Sequence, residues 1–342
     1  MYDNIINLEN LYKAWREFQN GKRNKNDVAI FSRNLDVHLY NLHNDLKNKI
    51  YKHGGYKEFK INDPKPRDIH KAPVRDRLLH HAIYRILYPY FDKKFIYDSY
   101  SCRVDKGAHR AIERFEVFAR KASKNNTKTC WILKCDIRKF FANIDHDILK
   151  SILTKHIQDI DTLALLSNII NSFCTRQDLV QKDVFTNSNP WVSNSKDEKG
   201  LPLGNLTSQL LVNIYMNEFD QFVKHKLKVE YYIRYADDFV ILSEDREYLT
   251  KLLPVISEFI KNYLKLQLHP DKVYIKNLSS GLDFLGWVHF PKHRVLRTAT
   301  KKRMFRNLKK NNFKEQSVNS YLGMLKWGNG HRLKYEILAK LG

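Results

Sequence analysis

Between Tyr231 and Leu242 the chain reads Tyr-Tyr-Ile-Arg-Tyr-Ala-Asp-Asp-Phe-Val-Ile-Leu, two apolar, β-prone runs broken at Ala236-Asp237-Asp238. So short a break predicts a tight hairpin at Ala236-Asp237 whose turn holds an acid at the rim of a sheet. The run Cys130-Trp-Ile-Leu-Lys-Cys-Asp136 reads as a buried strand that ends on an acid and turns into a helix. In the first 50 residues, Leu8, Leu11, Trp15 and Phe18 share one face of a helical period, and the polar stretch Asn20–Asn26 interrupts it. Residues 1–50 are therefore expected to be helical, with that apolar face serving either an interface or the core. Thr300–Asn312 has helical spacing, with Met304, Phe305 and Leu308 available for packing. Ser188–Pro190 and Val192–Gly200 mark a polar loop, and no internal repeat interrupts these elements.

The acids at the strand ends are the candidate chemistry. Neighbouring side chains on a strand point to opposite faces, so one of Asp237 and Asp238 should face a ligand while the other supports it from the side. Asp237 is the expected ligand. Asp136 supplies a carboxylate from a different strand, and such a pair can bridge two divalent ions about 4 Å apart, as phosphoryl transfer to a 3′-hydroxyl requires. Hard oxygen donors and retained water favour magnesium. Alone, the hairpin would read as a surface turn with a solvated Asp pair; Asp136 changes that reading.

Composition narrows the partner. With 60 Lys and Arg against 37 Asp and Glu, the 342 residues carry a formal charge of +23, which implies a polyanion such as nucleic acid. A hydrophobic fraction of 43% allows a substantial core and excludes a disordered basic tail. From Phe284 to Lys314 there is no acid and there are ten Lys or Arg, among them Lys301, Lys302, Arg303, Arg306, Lys309 and Lys310. These six form the expected nucleic-acid-binding face, against the alternative of a solvated charged helix. Tyr321, Trp327 and Tyr335 are read as core rather than base-stacking rings. Cys102, Cys130, Cys135 and Cys174 form no CxxC pair, His80-His81 lacks a metal partner set, and His146 is expected to cap or pack. Reduced cysteines, no cleavable leader and no apolar run of membrane-spanning length suggest a cytoplasmic protein.

Several blocks together resemble the reverse transcriptase family. Asp136-Ile-Arg-Lys-Phe-Phe141 is similar to its motif A and Tyr235-Ala-Asp-Asp238 to its motif C. Pro64 to Arg77 resembles the fingers segment, Ser99 to Gly107 the block before motif A, and Leu201-Pro-Leu-Gly-Asn-Leu-Thr-Ser-Gln209 motif B. Leu268-His-Pro-Asp-Lys272 resembles motif D, and Gly281-Leu-Asp-Phe-Leu-Gly-Trp287 the primer-grip hairpin. Seven matches in the family's order leave little room for chance.

The resemblance implies an α+β, right-hand polymerase fold. A helical segment 1–50 would precede fingers at 51–128, an antiparallel palm with helices at 129–291, and a short, basic, helical thumb at 292–342. It implies a magnesium site of Asp136, Ile137, Asp237 and Asp238. Phe141 would lie under the incoming sugar and reject a 2′-hydroxyl, with Phe140 in the core. Arg67, Lys71 and Arg75 would share the triphosphate, without a ranking among them. Lys272 would protonate the leaving pyrophosphate or neutralise phosphate, and Arg234 would pair locally or touch the template. Leu203, Gly204 and Gln209 would adjoin the nascent pair.

Pro202-Leu203-Gly204 stands where most of the family has Pro-Gln-Gly, and it is similar to the enzymes of diversity-generating retroelements. That branch implies copying of a template-repeat RNA into cDNA with errors at adenines, to rewrite a variable-repeat gene. It also implies a small, basic, oligomeric accessory protein, a structured template RNA and a cDNA/RNA duplex, with dNTPs as substrates. Leu203 either relaxes selection, because an aliphatic chain offers no directional contact, or merely packs its helix. No room is expected after the thumb for a nuclease, integrase or maturase domain. A retron-like or antiphage-defence reverse transcriptase is the nearer rival, and a non-catalytic RNA-binding scaffold the more distant one.

Overall fold

A computed structural model describes residues 1–63, 65–175 and 198–340. Pro64 of the fingers-like segment, and the expected polar loop at 188–200 as far as residue 197, lie outside the described residues. In chain order the first elements are α1 (Tyr2–Ile6), α2 (Leu8–Gln19), α3 (Asn26–Arg33), α4 (Leu35–Lys47), β1 (Lys57–Ile61), β2 (Arg67–Lys71), α5 (Val74–Asp92) and α6 (Ala108–Ala122). Then come β3 (Trp131–Asp136), a 3-10 turn at Phe140–Asn143, α7 (His146–His156), α8 (Ile160–Asn171), α9 (Leu206–Gln221), β4 (Tyr231–Tyr235), β5 (Asp238–Ser243) and α10 (Arg246–Asn262). The remaining elements are β6 (Tyr274–Asn277), β7 (Leu282–Phe284), β8 (Trp287–His289), β9 (Arg294–Leu296), α11 (Thr298–Lys310), α12 (Glu315–Leu325) and α13 (His331–Leu338). Antiparallel sheets interspersed with helices make the fold α+β, as expected. None of the described helices is long and apolar enough to cross a membrane.

The chain divides into two compact units. The first comprises residues 1–97, 138–222 and 259–267. Asn7 caps α2 by accepting from the Glu9 amide, and α2 then buries Leu11, Ala14, Trp15 and Phe18, with Leu8 only half covered. That stripe packs on α5, so the apolar N-terminal face is core and not an interface. Helix α9 is apolar on nearly every side and packs on both α5 and α7, the pattern of a helix enclosed by its neighbours. His146 packs: its ring is buried and its Nε2 lies 2.7 Å from the Gly200 carbonyl.

The second unit comprises residues 98–137, 223–258 and 268–342. Its sheet has the order β4-β5-β3-β6, and α6 lays Ala111, Phe115, Phe118 and Ala119 against a cluster containing Ile233, Val240 and Leu242. The expected hairpin at 281–287 is present as β7 and β8, with Leu285 and Gly286 both at positive φ in a two-residue turn. Trp287, Leu296, Met304, Leu308, Val318, Leu325 and Ile337 form a further core. Gly328 is obligatory there, because a Cβ would sit 2.2 Å from the Trp287 ring. Tyr321 and Trp327 pack partly against this core, but Tyr335 is 70% exposed. Helix α13 buries only Ile337, and a residue two positions away points about 200° round the helix, which overturns the expectation of a core ring at 335.

Three histidines are held neutral by burial: His80 is lowered to about 3, His81 to about 4 and His289 to about 4. Their unfolded forms take protons near pH 6.5, so their contribution to stability is complete above that pH and is lost as pH falls towards 4. His81, edge-on to Phe18 at 5.5 Å, isolates one such contribution. The denaturation midpoint of the wild type should fall more steeply between pH 6.5 and 4 than that of His81→Phe; parallel curves would show that His81 is not held neutral.

Candidate active site

Along strand β3 the side chains alternate, so the buried Leu133 and Cys135 lie on one face while Lys134 and Asp136 lie together on the other, beyond the buried Ile132. Strands β4 and β5 are joined by the two-residue turn Ala236-Asp237, with Ala236 at φ 57°. The β3–β5 register sets Asp136 opposite Asp238, and the Ile137 amide donates to the Asp237 carbonyl at 3.2 Å. Asp136, Asp237 and Asp238 therefore meet at one end of one sheet.

Two ammonium groups balance them. Lys134 Nζ donates to both oxygens of Asp238, at 2.7 and 2.8 Å. Burial pushes the Asp238 carboxyl up to about 6; Lys134 opposes that rise, while the charges of Asp136 and Asp237 add to it. A bridge between Ile137 and Leu268, together with the His269 amide on the Asp136 carbonyl at 2.7 Å, brings in the motif D segment. Lys272 Nζ then lies 3.0 Å from Asp136 Oδ1 while keeping 43% of its side chain exposed. Arg234 is fully buried and pairs locally: it donates to the Ala236 carbonyl at 3.1 Å and to Ser99 Oγ at 3.0 Å, bracing the turn. Lys134 was not singled out from the sequence, although a lysine two positions before an acid in an apolar strand shares that acid's face.

The donor set suits a hard cation. Asp136 and Asp237 offer carboxylate oxygens, and Ile137, whose side chain is buried, has only its carbonyl to offer. Asp238, which the resemblance includes in the metal site, accepts from Lys134 Nζ at both oxygens. Among the described residues no group of three or more His, Cys, Asp and Glu side chains is arranged to hold a metal ion. An open set of this kind suits a divalent cation that takes one or two carboxylates and completes its shell with water and phosphate oxygens.

The other candidate residues are placed as follows. Phe140 is buried and Phe141 half buried in the 3-10 turn. Lys71 pairs with Asp27 at 2.6 Å, Arg75 pairs with Asp45, and Arg67 is exposed at the start of β2 with no ion pair among the described residues. Leu203 is half buried and its carbonyl accepts from the His70 amide at 3.0 Å, which ties the motif B turn to β2. Gly204 sits at φ 109°, where a side chain would be strained and its Cβ would lie 3.0 Å from Ile69. Gln209 is half buried in α9. In α11, Lys302, Arg306, Lys309 and Lys310 are exposed, Arg303 is half buried, and Lys301 lies 3.7 Å from Glu336.

Residues 50–289 match the family model described as reverse transcriptase (RNA-dependent DNA polymerase). Protein YkfC of Escherichia coli is 23% identical over 256 residues, covering 66% of this chain and 61% of that protein. The group II intron-encoded protein LtrA of Lactococcus lactis is 25% identical over 309 residues, covering 71% of this chain and 47% of that protein. The putative COX1/OXI3 intron 2 protein of Saccharomyces cerevisiae is 22% identical, covering 85% and 38%. The chain thus spans between 38% and 61% of the length of these relatives. Its fold is similar to that of apo telomerase from Candida tropicalis, with a TM-score of 0.53 at 13% identity over 75% of this chain and 52% of that one.

Removing one member of a buried ion pair strands the other charge, at a cost of about 3 kcal/mol. Lys134→Met should destabilise by about that amount, and adding Asp238→Asn should recover most of it. Denaturation of the four species measures the coupling; strict additivity would show that Lys134 does not offset the charge of Asp238.

Proposed function

The chain belongs to the reverse transcriptase (RNA-dependent DNA polymerase) family, and from that premise we propose that it extends a primer's 3′-hydroxyl, copying RNA into DNA from dNTPs. The observation that carries this reading is the meeting of Asp136 with the Asp237-Asp238 turn at one end of the sheet. Magnesium, held by Asp136, Asp237 and the Ile137 carbonyl, would supply charge to the attacking and leaving oxygens. Asp238 and Lys134 fix the turn's charge and orientation. The exposed Lys272 amine beside Asp136 is placed to give a proton to pyrophosphate or to neutralise it. Arg67 is the fingers cation left for the triphosphate, since Lys71 and Arg75 are engaged by Asp27 and Asp45. Phe141 serves as the bulky residue against a 2′-hydroxyl, and the exposed bases of α11 neutralise duplex phosphates.

The finer reading is an enzyme of the diversity-generating kind. It copies a template-repeat RNA with adenine errors to rewrite a variable-repeat gene, in the cytoplasm and with a small basic oligomeric accessory protein. Pro202-Leu203-Gly204 supports this reading, because Leu203 supplies no hydrogen bond to fix an incoming base, and differences of about 1.4 kcal/mol already change selection tenfold. A second reading also has support: two of the relatives are named as intron proteins, which favours a group II intron-like reverse transcriptase over the diversity-generating kind, the retron-like or defence enzyme remaining the alternative drawn from the sequence.

Magnesium-dependent extension of a primed RNA is expected, with Asp237→Asn lowering the rate by at least about a thousandfold. Errors clustered opposite template adenines would favour the diversity-generating reading, and faithful products the second. No extension, even with cognate RNA and a candidate accessory protein, would favour an RNA-binding scaffold. Where adenine errors are found, Leu203→Gln should lower their frequency about tenfold on sequencing of the products; an unchanged frequency would remove Leu203 from the account.

A further inference from the structure

Beneath the motif B turn the first unit holds a chain of buried polar groups that none of the roles above uses. Thr207, in the first turn of α9, lies 3.1 Å from His80 Nδ1 on α5. His80 Nε2 lies 3.1 Å from His53 Nε2, and His53 Nδ1 lies 2.6 Å from the Gly54 carbonyl. The Gly54 amide in turn donates to the buried Asp76 carboxylate at 2.9 Å, which also accepts from Tyr51 at 2.8 Å.

The proton positions follow from the last acceptor. A carbonyl only accepts, so in the neutral ring His53 Nδ1 carries the proton and Nε2 is the acceptor, with the Tyr56 hydroxyl a further 3.4 Å neighbour of that nitrogen. His80 Nε2 must then donate, His80 Nδ1 must accept, and the Thr207 hydroxyl must be the donor. The chain therefore has one direction and one tautomer at each ring. In the turn above it, His70 Nδ1 and Asn205 Oδ1 are buried without hydrogen-bond partners among the described residues.

We propose that Thr207, His80 and His53 form a directional hydrogen-bond relay whose positioning residues, Thr207 and His80, set the start of α9 and with it the Leu203-Gly204 turn. The relay thereby governs nucleotide selection without touching the nucleotide. This rests on the polymerase reading and extends it to residues outside the reacting centre. Removing the Thr207 hydroxyl leaves a buried imidazole nitrogen without a donor, so the helix start shifts to relieve it.

The test uses the full chain, with cognate RNA and accessory protein where the wild type needs them. Thr207→Val keeps the shape and removes the donor; it should raise KM for dNTPs about tenfold and alter the error spectrum, with kcat changed less than about threefold. Thr207→Ser should restore both, and His80→Phe should follow Thr207→Val. A merely structural role would lower the melting temperature and the active fraction while leaving KM and the error spectrum as in the wild type, and that result overturns the proposal. Nitrogen-15 spectra of the histidines should show His80 protonated at Nε2 and bare at Nδ1; the opposite tautomer overturns the relay itself. A wild type with that tautomer but no extension would refute the polymerase reading, and the selection role with it, while leaving the relay in place.

Discussion

Three carboxylates meet at one end of a four-stranded sheet, and the second unit is organised around offsetting their repulsion. At full charge in a poorly solvated pocket they would push the strand ends apart; burial raises Asp238 to about 6, and the charges of Asp136 and Asp237 add to that rise while Lys134 opposes it. The sheet answers with a lysine from each side. Lys134 arrives on the strand that carries Asp136, and Lys272 arrives by a segment bridged to Ile137. Arg234 adds a hold on the backbone of the turn, through the Ala236 carbonyl and Ser99 Oγ. Divalent ions would enter a site whose acids are already in register and already partly balanced by Lys134 and Lys272.

The first unit solves a different problem. Helix α9 is too apolar to face water, and its first turn must nevertheless deliver a glycine-containing loop in a fixed place. Packing of α5 and α7 encloses the helix, while the loop is fixed by polar contacts: the His70 amide on Leu203, and Thr207 on His80. Apolar packing tolerates sliding of a few tenths of an ångström, but a buried hydrogen bond does not, because an unmade bond costs the desolvation of both groups. Fixing this loop with polar anchors on an apolar helix gives it a single setting.

Much of this was legible in the sequence where local pattern and chemistry coincide. The turn at Ala236-Asp237, the strand ending at Asp136, and α11 with Met304 and Leu308 inward follow from periodicity alone, to within two residues at the ends of α11. Contacts between distant segments were not legible. Nothing near Lys71 or Arg75 in sequence announces Asp27 or Asp45, and no spacing rule links His53 to His80 and Thr207. Tyr335 misled because aromatic character alone does not say which face of a short helix is covered. The N-terminal stripe was open between core and interface because its partner, α5, lies more than fifty residues further along the chain.

The basic helix α11 shows how one element can serve both stability and binding. Met304 and Leu308 fill the core around Trp287, which fixes the rotation of the helix and so decides which bases are exposed. Lys301 is drawn towards Glu336, whereas Lys302, Arg306, Lys309 and Lys310 face outward. Exposed lysines gain little from folding, and crowding of like charge on one face costs some stability. Such a face is readily accounted for if a polyanion neutralises it, because each phosphate contact releases a counterion and converts the repulsion into binding free energy. The same reasoning separates α11 from the solvated helices of a neutral protein, where acids interleave with bases: from Phe284 to Lys314 this chain has none.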